Sequence, residues 1–572
     1  MDMVMTMELD LNRVGRRIGL ALGLVLASAA AHAQPAPESS GVSYDAPPAA
    51  EEQNESAPAS EGRRARRERS RSSIQPYLEV TQVVSADLEN DETLTYTSVA
   101  AGVDGRVETR RVTAQLSYRY ERLIEWGDDV GDQDVHSGVA VVGVQVVPGA
   151  LQFEAGALAT RTGGEGRAIG VTDRDSAVEV YSVYAGPTLS THAGPVAVNA
   201  AYRLGYVAID DDSLSGGPRD DFSSATAHSA TASVGMAPGR LPFGWTVGGG
   251  YTRTDSDSRF DDDFEGVYVR GDVVVPLSPT FAVTAGVGYE DIQASQLDVA
   301  RDVNGVPILG PDGQPGPDPT RPRLVTYDLD GLIYDAGILW RPNSRTELQA
   351  RAGHRYGGTT VVGSLAHRFS NNFGMNAAVF DSVETFGSTV INGLSSLPDD
   401  FNVVRNPLTG DLGGCAFGAT PGSGTCLGQS LQSIRGTSFR ARGASLVFSG
   451  NRGLWDYGAG AGYVNRRFGR PNDSAFDAFG SSEDESFSLF SSFGRRLSRS
   501  SNLDISTYAS WYDSDLAAFD RVFSTGATVS YNRRLLFDRM QFLAALGLYH
   551  TSEGAEDSTV ASALAGLRYT FW

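Results

Sequence analysis

The segment RVTAQLSYRYERL, residues 111–123, decides the fold class because its side chains alternate in polarity from one residue to the next. Its apolar positions are Val112, Ala114, Leu116, Tyr118 and Tyr120. Its polar positions are Arg111, Thr113, Gln115, Ser117, Arg119 and Glu121. A repeat of two residues is typical of a β-strand with one face against an apolar medium and the other against water. The segment therefore predicts an amphipathic strand.

The same alternation recurs through residues 76–572, and the connections between strands are short and long in turn. We predict short turns at residues 104–106, 148–150, 193–195, 342–344, 370–372 and 451–453. We predict longer connections near residues 126–133, 163–175, 210–221, 255–263, 295–323, 389–434 and 468–483. A soluble β-sandwich also alternates, but short turns at one rim and long loops at the other are typical of outer-membrane barrels. The sequence therefore predicts an all-β transmembrane antiparallel β-barrel of about 22 strands, with roughly 18 as the lower limit.

The charges predict which rim faces outward. The long connections are acidic, as at residues 210–212 and 261–263, whereas short turns carry arginine, as at Arg240 and Arg452. We expect the acidic rim to face the outside of the cell and the arginine-bearing rim to face the periplasm. The predicted location is the outer membrane of a Gram-negative bacterium.

The N-terminal part predicts export. Arg16 and Arg17 precede an apolar stretch at residues 18–27, and small residues at 31–33 suit a cleavage site. Residues 1–33 are therefore predicted to be a signal peptide. Residues 34–75 are rich in proline, serine and arginine and predict a disordered periplasmic tether. The barrel is expected to occupy residues 76–572.

The composition excludes several classes of function. The formal net charge is −22, and all 47 basic residues are arginine, so an acidic surface of this kind does not suit nucleic-acid binding. The chain has no P-loop, dinucleotide fingerprint or zinc-type cysteine and histidine cluster, so no cofactor is expected. Its histidines are scattered, and no G-x-S-x-G elbow surrounds a serine. We do not expect an enzyme.

The last six residues, LRYTFW, resemble the C-terminal signal of outer-membrane barrels, in which alternating apolar positions end in an aromatic residue. The resemblance implies that Tyr569, Phe571 and Trp572 are recognised by the barrel assembly machinery. Phe571 keeps the alternation, and Trp572 is one residue beyond the usual end.

The whole chain also resembles a group of large Gram-negative barrels that have a tether rich in proline and arginine. Some members of that group carry the label preprotein translocase subunit YajC. The genuine YajC family is small and built around one transmembrane helix, so the label does not describe this chain physically. Other similar barrels accompany exopolysaccharide systems, which implies glycan export by analogy.

Two cysteines and a set of charged residues are the candidate site residues. Cys415 and Cys426 are the only cysteines, and in an exported protein they are expected to form a disulfide. Two thiols without a nearby histidine are too few for a metal site, so metal ligands are not identified. The predicted lumen-lining residues are Arg111, Arg119, Glu121, Arg203, Arg345, Glu347, Arg351, Arg355 and Asp504.

These charged residues are assigned to the lumen because a charge on the lipid face costs about 2–4 kcal/mol at mid-bilayer. They form either a selectivity ladder for a solute or a set of ion pairs that brace the wall, and bracing is favoured. The acidic loops are candidates for divalent cations that bridge to lipopolysaccharide, although a solvated acidic surface is the simpler interpretation.

The sequence supports two functions. The first is a pore or export channel for small solutes or polysaccharide, because a barrel of this size encloses an aqueous lumen. The tether is too short for a globular plug, so we expect inward folding of residues 295–323 and 389–434 to narrow that lumen. The second is a structural or surface-binding barrel whose loops engage cations, lipopolysaccharide or a partner. The oligomeric state is left open.

Overall fold

The computed structural model describes residues 71–89, 92–126, 133–163, 177–210, 222–310, 315–398, 400–469, 483–515, 521–536, 539–554 and 556–571. The predicted signal peptide and residues 34–70 of the predicted tether lie outside the described residues. The first strand begins at Arg71, whereas the sequence placed the start of the barrel at Pro76.

The described chain is almost entirely β-structure. The strands, in chain order, are β1 (Arg71–Asp87), β2 (Thr93–Glu108), β3 (Val112–Glu125), β4 (Gln133–Val147), β5 (Leu151–Thr162), β6 (Val178–Ala193), β7 (Val196–Asp210), β8 (Ser224–Met236), β9 (Gly244–Asp257), β10 (Asp262–Ser278), β11 (Phe281–Gln296), β12 (Asp298–Val299), β13 (Pro317–Asp318), β14 (Leu324–Asn343), β15 (Thr346–Arg355), β16 (Gly358–Ser370), β17 (Phe373–Glu384), β18 (Phe401–Arg405), β19 (Leu412–Gly418), β20 (Gly424–Cys426), β21 (Phe439–Arg452), β22 (Trp455–Phe468), β23 (Glu483–Arg496), β24 (Ser501–Ser514), β25 (Val522–Leu535), β26 (Met540–Glu553) and β27 (Glu556–Thr570). One α-helix, α1 (Phe386–Ser395), and one 3-10 helix (Leu427–Leu431) complete the described elements.

Twenty-two of these strands form one closed antiparallel barrel, which confirms the predicted fold class and strand number. Each barrel strand pairs with its neighbours in sequence, and β1 closes the ring by pairing with β27, where Tyr77 lies opposite Thr570. Closure matters because lipid cannot form hydrogen bonds with the backbone N–H and C=O groups of an unpaired strand edge. The strands β12, β13 and β18–β20 lie outside this ring.

One predicted short turn is wrong. Residues 104–106 lie within β2, where Gly105 pairs with Ile74 of β1 and with Leu116 of β3. The chain reverses instead at residues 109–111. Pairing on both edges of β2 outweighs the local preference of an Asp-Gly pair for a turn.

The outer surface of the barrel is apolar. On β10, Val267, Val269 and Val273 are exposed, whereas Tyr268 and Asp272, which alternate with them, face inward. Exposed leucines and valines continue around the other strands. This apolar surface faces lipid, so the protein is an outer-membrane barrel. No helix within the described ranges combines the length and the apolarity needed to cross a membrane.

The described part of the connection between β11 and β14 lies at the outer ends of neighbouring strands. Its short strands β12 and β13 pair with each other, and Arg323 bonds to Ser295 and pairs with Asp261 at 3.3 Å near the outer ends of neighbouring strands. Its apolar side chains Val303 and Ile308 are exposed. The expected inward fold is therefore not seen in the described residues 295–310 and 315–323, whose backbone groups pair with each other in a hairpin.

The connection between β17 and β21, residues 385–438, does fold inward, and we call it the lumen loop. It contains α1, β18, β19, β20 and the 3-10 helix. Its residues contact Gln115 of β3, Arg161 of β5, Gly460 of β22 and Tyr549 of β26. A segment can touch strands on opposite sides of a closed barrel only from the inside.

Candidate functional site: the lumen and its loop

Helix α1 carries the lumen loop from the end of β17 to the far wall of the barrel. Thr385 caps the helix, since its side chain accepts a hydrogen bond from the backbone N–H of Ser388, whose hydroxyl bonds back to the backbone N–H of Thr385. A reciprocal cap of this kind satisfies the free N–H groups at a helix start. The helix therefore begins at a defined point just beyond the wall.

The buried face of α1 packs against strands β5 to β9. Val390, Ile391 and Leu394 are buried in a cluster with Val180 of β6 and Val207 of β7, among others. On β7 the wall has a glycine, Gly205, at the point where a Cβ would overlap the side chain of Ile391. The sequence of the wall thus leaves room for the helix, and the apolar contact anchors it.

A half-buried arginine anchors the hairpin that follows. Arg405, at the end of β18, donates hydrogen bonds to Ser117 and Ser137 side chains and to the backbone carbonyls of Ser117, Ser137 and Gly410. Burial lowers the pKa of Arg405 below its ordinary value, yet an arginine keeps its charge at neutral pH. These charge-assisted bonds join the lumen loop to β3 and β4.

Two ion pairs fix the lumen loop at different heights. Arg161 of β5 binds Asp411 through two bonds of 2.9 and 3.1 Å, and both side chains are buried. Arg106, near the periplasmic end of β2, binds Asp400 through two bonds of 2.6 and 2.7 Å and is more exposed. The lumen loop therefore extends from the outer half of the barrel to near its inner end.

The tip of the hairpin enters an apolar pocket of the wall. Leu408 is buried with Val83, Tyr96, Leu543 and Tyr549, which belong to β1, β2 and β26. The Tyr96 hydroxyl also donates a 2.8 Å hydrogen bond to the carbonyl of Leu408. The wall on this side is thus complementary to the loop in both shape and polarity.

A disulfide and a row of glycines join the loop to the opposite wall. Cys415 of β19 and Cys426 of β20 form a disulfide. On β22, a Cβ at Gly460 would overlap the Cys426 sulfur, and a Cβ at Gly458 would lie 2.6 Å from the ring of Phe417. The segment GAGAG at residues 458–462 therefore provides a groove for the disulfide hairpin. The sequence showed the cysteine pair but gave no sign of this groove.

Several predicted lumen residues form buried ion pairs. Arg119 binds Glu79 at 2.7 Å and Glu121 at 3.0 Å, next to Gly410 of the lumen loop. A Cβ at Gly410 would overlap the Glu121 carboxylate, so this network faces the loop directly. Arg119 and its carboxylates thus lie between the wall and the loop.

A second network lies on β10, β14 and β15. Arg351 binds Asp272 at 2.7 Å and Asp335 at 3.0 Å, and Arg270 binds the same two carboxylates. Arg355 pairs with Glu290 at 2.8 Å. The acidic partners were missed in the sequence because they lie on other strands, 16 residues away for Asp335 and 79 for Asp272, with no fixed spacing from Arg351.

The remaining predicted lumen residues have varied positions. Arg203 pairs with Glu154 at 3.4 Å, and Glu347 accepts a 2.6 Å bond from Arg341. Asp504 accepts a 3.2 Å hydrogen bond from Asn532. Arg111 and Arg345 lie in short turns and are exposed, so the structure places these two at the rim instead of on the wall. The predicted alternating pattern had included the residue just before β3 and the residue just before β15. Outside a strand, the alternation does not indicate whether a side chain faces the lumen or the lipid.

A cavity of about 220 Å³ is left between the lumen loop and the wall. On the wall side it is lined by hydroxyl groups of Ser506, Tyr508, Ser510 and Thr528 on β24 and β25. On the loop side it is lined by polar residues, including Asn406, Thr409, Asp411 and Gln432, and by leucines and valines. The described lumen thus holds a small space of mixed polarity.

The acidic loops and the C-terminus are only partly described. Arg323 pairs with Asp261 at 3.3 Å and with Asp263 at 3.0 Å, and Ser258 donates to Asp262. Residues 211–212 lie outside the described residues. In the part of the chain that the structure covers, no group of three or more histidine, cysteine or acidic residues is arranged to hold a metal ion.

At the C-terminus, the rings of Tyr569 and Phe571 meet edge to face at 5.3 Å, and the Phe571 N–H bonds to the Pro76 carbonyl. Trp572 lies outside the described residues. The recognition of these residues by assembly machinery stays a prediction.

Comparisons with known proteins give structural similarity alone. No protein-family model matches the sequence, and no curated protein matches it. Among solved structures, the FrpB iron transporter from Neisseria meningitidis (F5-1 variant) is similar with 12% identity over 87% of this chain and 82% of that chain, at a TM-score of 0.42. The ferric-catecholate import receptor Fiu from E. coli K12 in its closed form has 10% identity over 86% and 82%, at a TM-score of 0.41.

A third similar structure is the siderophore receptor PiuA from Acinetobacter baumannii, with 10% identity over 86% of this chain and 82% of that chain and a TM-score of 0.41. What the geometry establishes without any relative is a 22-stranded outer-membrane β-barrel whose lumen is occupied by its own β17–β21 connection.

Proposed function

We propose that this protein is an outer-membrane transport barrel whose lumen is gated by the lumen loop. The observation that carries the proposal is the position of residues 385–438, which contact the wall from β2 to β9 and from β21 to β26 from the inside. A barrel of 22 strands is wide enough for a solute pathway unless something fills it. Here the filling segment is part of the chain.

The lumen loop is continuous with the barrel strands only at its two ends, at Glu384 of β17 and Phe439 of β21, which pair with each other, and its other contacts with the wall are non-covalent. It can therefore leave the lumen without breaking any ladder of the barrel. Its polar anchors, Arg106, Arg161 and Arg405, exchange protein partners for water when the loop moves out. The disulfide keeps β19 and β20 together as one unit during such a movement.

The geometry bears on the kind of solute. The cavity of about 220 Å³ beside Ser506, Ser510 and Thr528 is smaller than most ligand pockets, so only a small solute fits while the loop stays in place. A polysaccharide chain would need the lumen loop to be displaced. We therefore propose small polar solutes as the class carried by the closed form, with polysaccharide export as the alternative for an opened form.

Single-channel conductance in planar bilayers tests the gate. The purified full chain is compared with a variant in which residues 386–437 are replaced by a short Gly/Ser linker. We expect small or no current steps from the full chain and large, stable steps from the variant. The matched control replaces residues 300–310, in the described part of the β11–β14 connection, and should leave the current unchanged.

A folded deletion variant that conducts no more than the full chain would contradict the gate. Silence in every variant would favour the second function, a structural or surface-binding barrel. The tight packing of Leu408 in a buried apolar cluster is the observation that supports this second function, because it suits a lumen that never opens.

A further inference from the structure

The barrel wall has a break in its hydrogen-bond ladder between β16 and β17. The two strands pair from Gly363 opposite Val379 down to the periplasmic turn. Above that point, residues 358–362 of β16 and 380–384 of β17 form no ladder pair in the described structure, although β16 still pairs with β15 and β17 with β21. We call this break the seam.

The wall overlaps itself at the seam. On β17, Gly374 contacts the lumen loop, so Val383, at the opposite parity, belongs to the outer face of that strand. Val383 is nevertheless buried in one apolar cluster with Phe264 and Ile292, which lie on the inner faces of β10 and β11. The upper end of β17 is therefore tucked inside the wall formed by β10 to β16.

The tops of β14 and β22 meet in the same way. The Tyr327 hydroxyl of β14 donates a 2.7 Å hydrogen bond to the carbonyl of Arg467, the second-last residue of β22. At Gly469, which follows β22, a Cβ would lie 2.5 Å from the Tyr327 ring. Two edges of the wall thus lap over each other above the short β15–β16 hairpin.

Side chains close the seam in place of a ladder. Arg440 of β21 binds Asp381 of β17 through two 2.8 Å bonds and donates to the carbonyl of Tyr356 at 2.9 Å. Arg442 pairs with the same carboxylate at 3.3 Å and donates to the carbonyl of Thr359 at 3.0 Å. These carbonyls belong to the β15–β16 hairpin, whose edge has no partner strand here. Asp381, with only 3% of its side chain exposed, holds both arginines in place.

Both sides of the seam are bounded by lipid-facing side chains. Val361 of β16 and Val379 of β17 are exposed, as are Leu332 and Tyr334 of β14 next to the hairpin. The outer surface beside the seam is therefore apolar at these four positions, as contact with lipid requires. Behind it lies the apolar cluster of Tyr356, Val383 and their neighbours, and behind that cluster lies the lumen.

We propose that the seam is a lateral portal, through which the apolar part of an amphiphilic solute passes between the lumen and the outer leaflet. The proposal rests on the transport function proposed above and adds a substrate class to it. Opening requires the separation of side chains, namely the Asp381 pairs and the apolar cluster, and breaks no strand pair. Between strands that pair along their whole length, such as β1 and β2, opening the wall would break a long ladder, which lipid cannot replace.

Photolabelling of the full chain tests the portal. The protein is reconstituted in phosphatidylglycerol vesicles that contain a phospholipid with a diazirine at the end of its acyl chain, and labelled peptides are mapped. We expect label at Tyr356 and Val383, and an increase of about fivefold in Asp381→Asn, because loss of one ion-pair anchor shifts an open population by roughly this factor.

The matched control is Arg122→Gln. Arg122 pairs with Asp134 at 2.8 Å across β3 and β4, where the two residues also lie opposite each other in an intact ladder. This change should leave the labelling pattern as it is. If the Asp381→Asn variant does not assemble, Arg442→Gln is used instead. This change removes one of the two ion pairs of Asp381 at a more exposed side chain.

Label that stays at background on Tyr356 and Val383 in both the native chain and the variant would overturn the portal. Hydrogen exchange gives an independent reading, since the amides of residues 358–362 should exchange faster than those of residues 363–368 in the same strand. Equal protection of the two stretches would also overturn it. Neither measurement uses current through the lumen, so a failed portal and a failed gate are distinguishable.

Discussion

Arg161 of β5 and Asp411 of the lumen loop form a two-point ion pair in the interior of the barrel, 250 residues apart in the chain. The Arg161 guanidinium also donates to the carbonyl of Thr409 at 3.0 Å, so one side chain holds both sides of the turn that leads into β19. The side chains are 5% and 8% exposed, and the pair is therefore shielded from salt and water. The main contribution of such a buried pair to stability is seen when one partner is removed and the other charge stays buried without compensation.

Arg161→Gln is expected to loosen the lumen loop. Removing one partner of a buried ion pair leaves an uncompensated charge on Asp411, at a cost of about 3–5 kcal/mol. We expect larger conductance steps in planar bilayers and faster proteolysis within residues 400–434. The control is Arg253→Gln, whose pair with Asp255 is exposed to solvent and contributes little to stability. A loop as protected in Arg161→Gln as in the control would contradict this role.

Loss of the disulfide is expected to destabilise the same loop. The bond closes 11 residues of sequence between Cys415 and Cys426, and closure of a short loop contributes about 2–3 kcal/mol. Cys415→Ser with Cys426→Ser should therefore lower the temperature at which the loop becomes accessible to protease, while the barrel keeps its resistance to unfolding. The native chain treated with reductant should behave like the double variant. Equal accessibility with and without the bond would exclude a stabilising role.

A methyl group in the β22 groove is expected to displace the disulfide hairpin. Gly460→Ala places a Cβ where the Cys426 sulfur lies, so the hairpin must move or the strand must bend. Gly271→Ala is a matched control, because a Cβ there has no neighbour within 4 Å. We expect more frequent current steps for Gly460→Ala alone. Identical currents from the two variants would show that the hairpin is not closely packed in this groove.

The outer hairpin between β11 and β14 is expected to respond to acid. Backbone N–H groups of Val306 and Asn304 donate to Asp302 and hold its pKa below the ordinary value of 3.8. Because the folded pKa is depressed, the stabilisation is present above pH 3.8 and is lost as pH falls through the lower folded pKa. The amide resonance of Val306 in an NMR titration should move with a midpoint below 3.8. A midpoint at or above that value would refute the bonds.

The fold class followed from local pattern alone. The alternation in residues 111–123 corresponds to β3, whose polar side chains Gln115, Ser117 and Arg119 contact the lumen loop or its partners, as a two-sided strand requires. The cysteine spacing likewise indicated a disulfide, which the structure contains. The alternation within a strand and the spacing of turns depend only on residues that are close together in the chain, so they can be predicted from a single sequence.

Everything that closes the lumen was decided by the tertiary structure. The sequence named Arg119 and Arg351 but could not supply Glu79 or Asp272, because a partner that is adjacent across a barrel has no fixed spacing in the chain. It also predicted that residues 295–323 fold inward together with the lumen loop, and among the described residues only the lumen loop does so. The difference lies in complementarity: the lumen loop meets glycines and apolar pockets of the wall, and such a fit exists only once the barrel has closed.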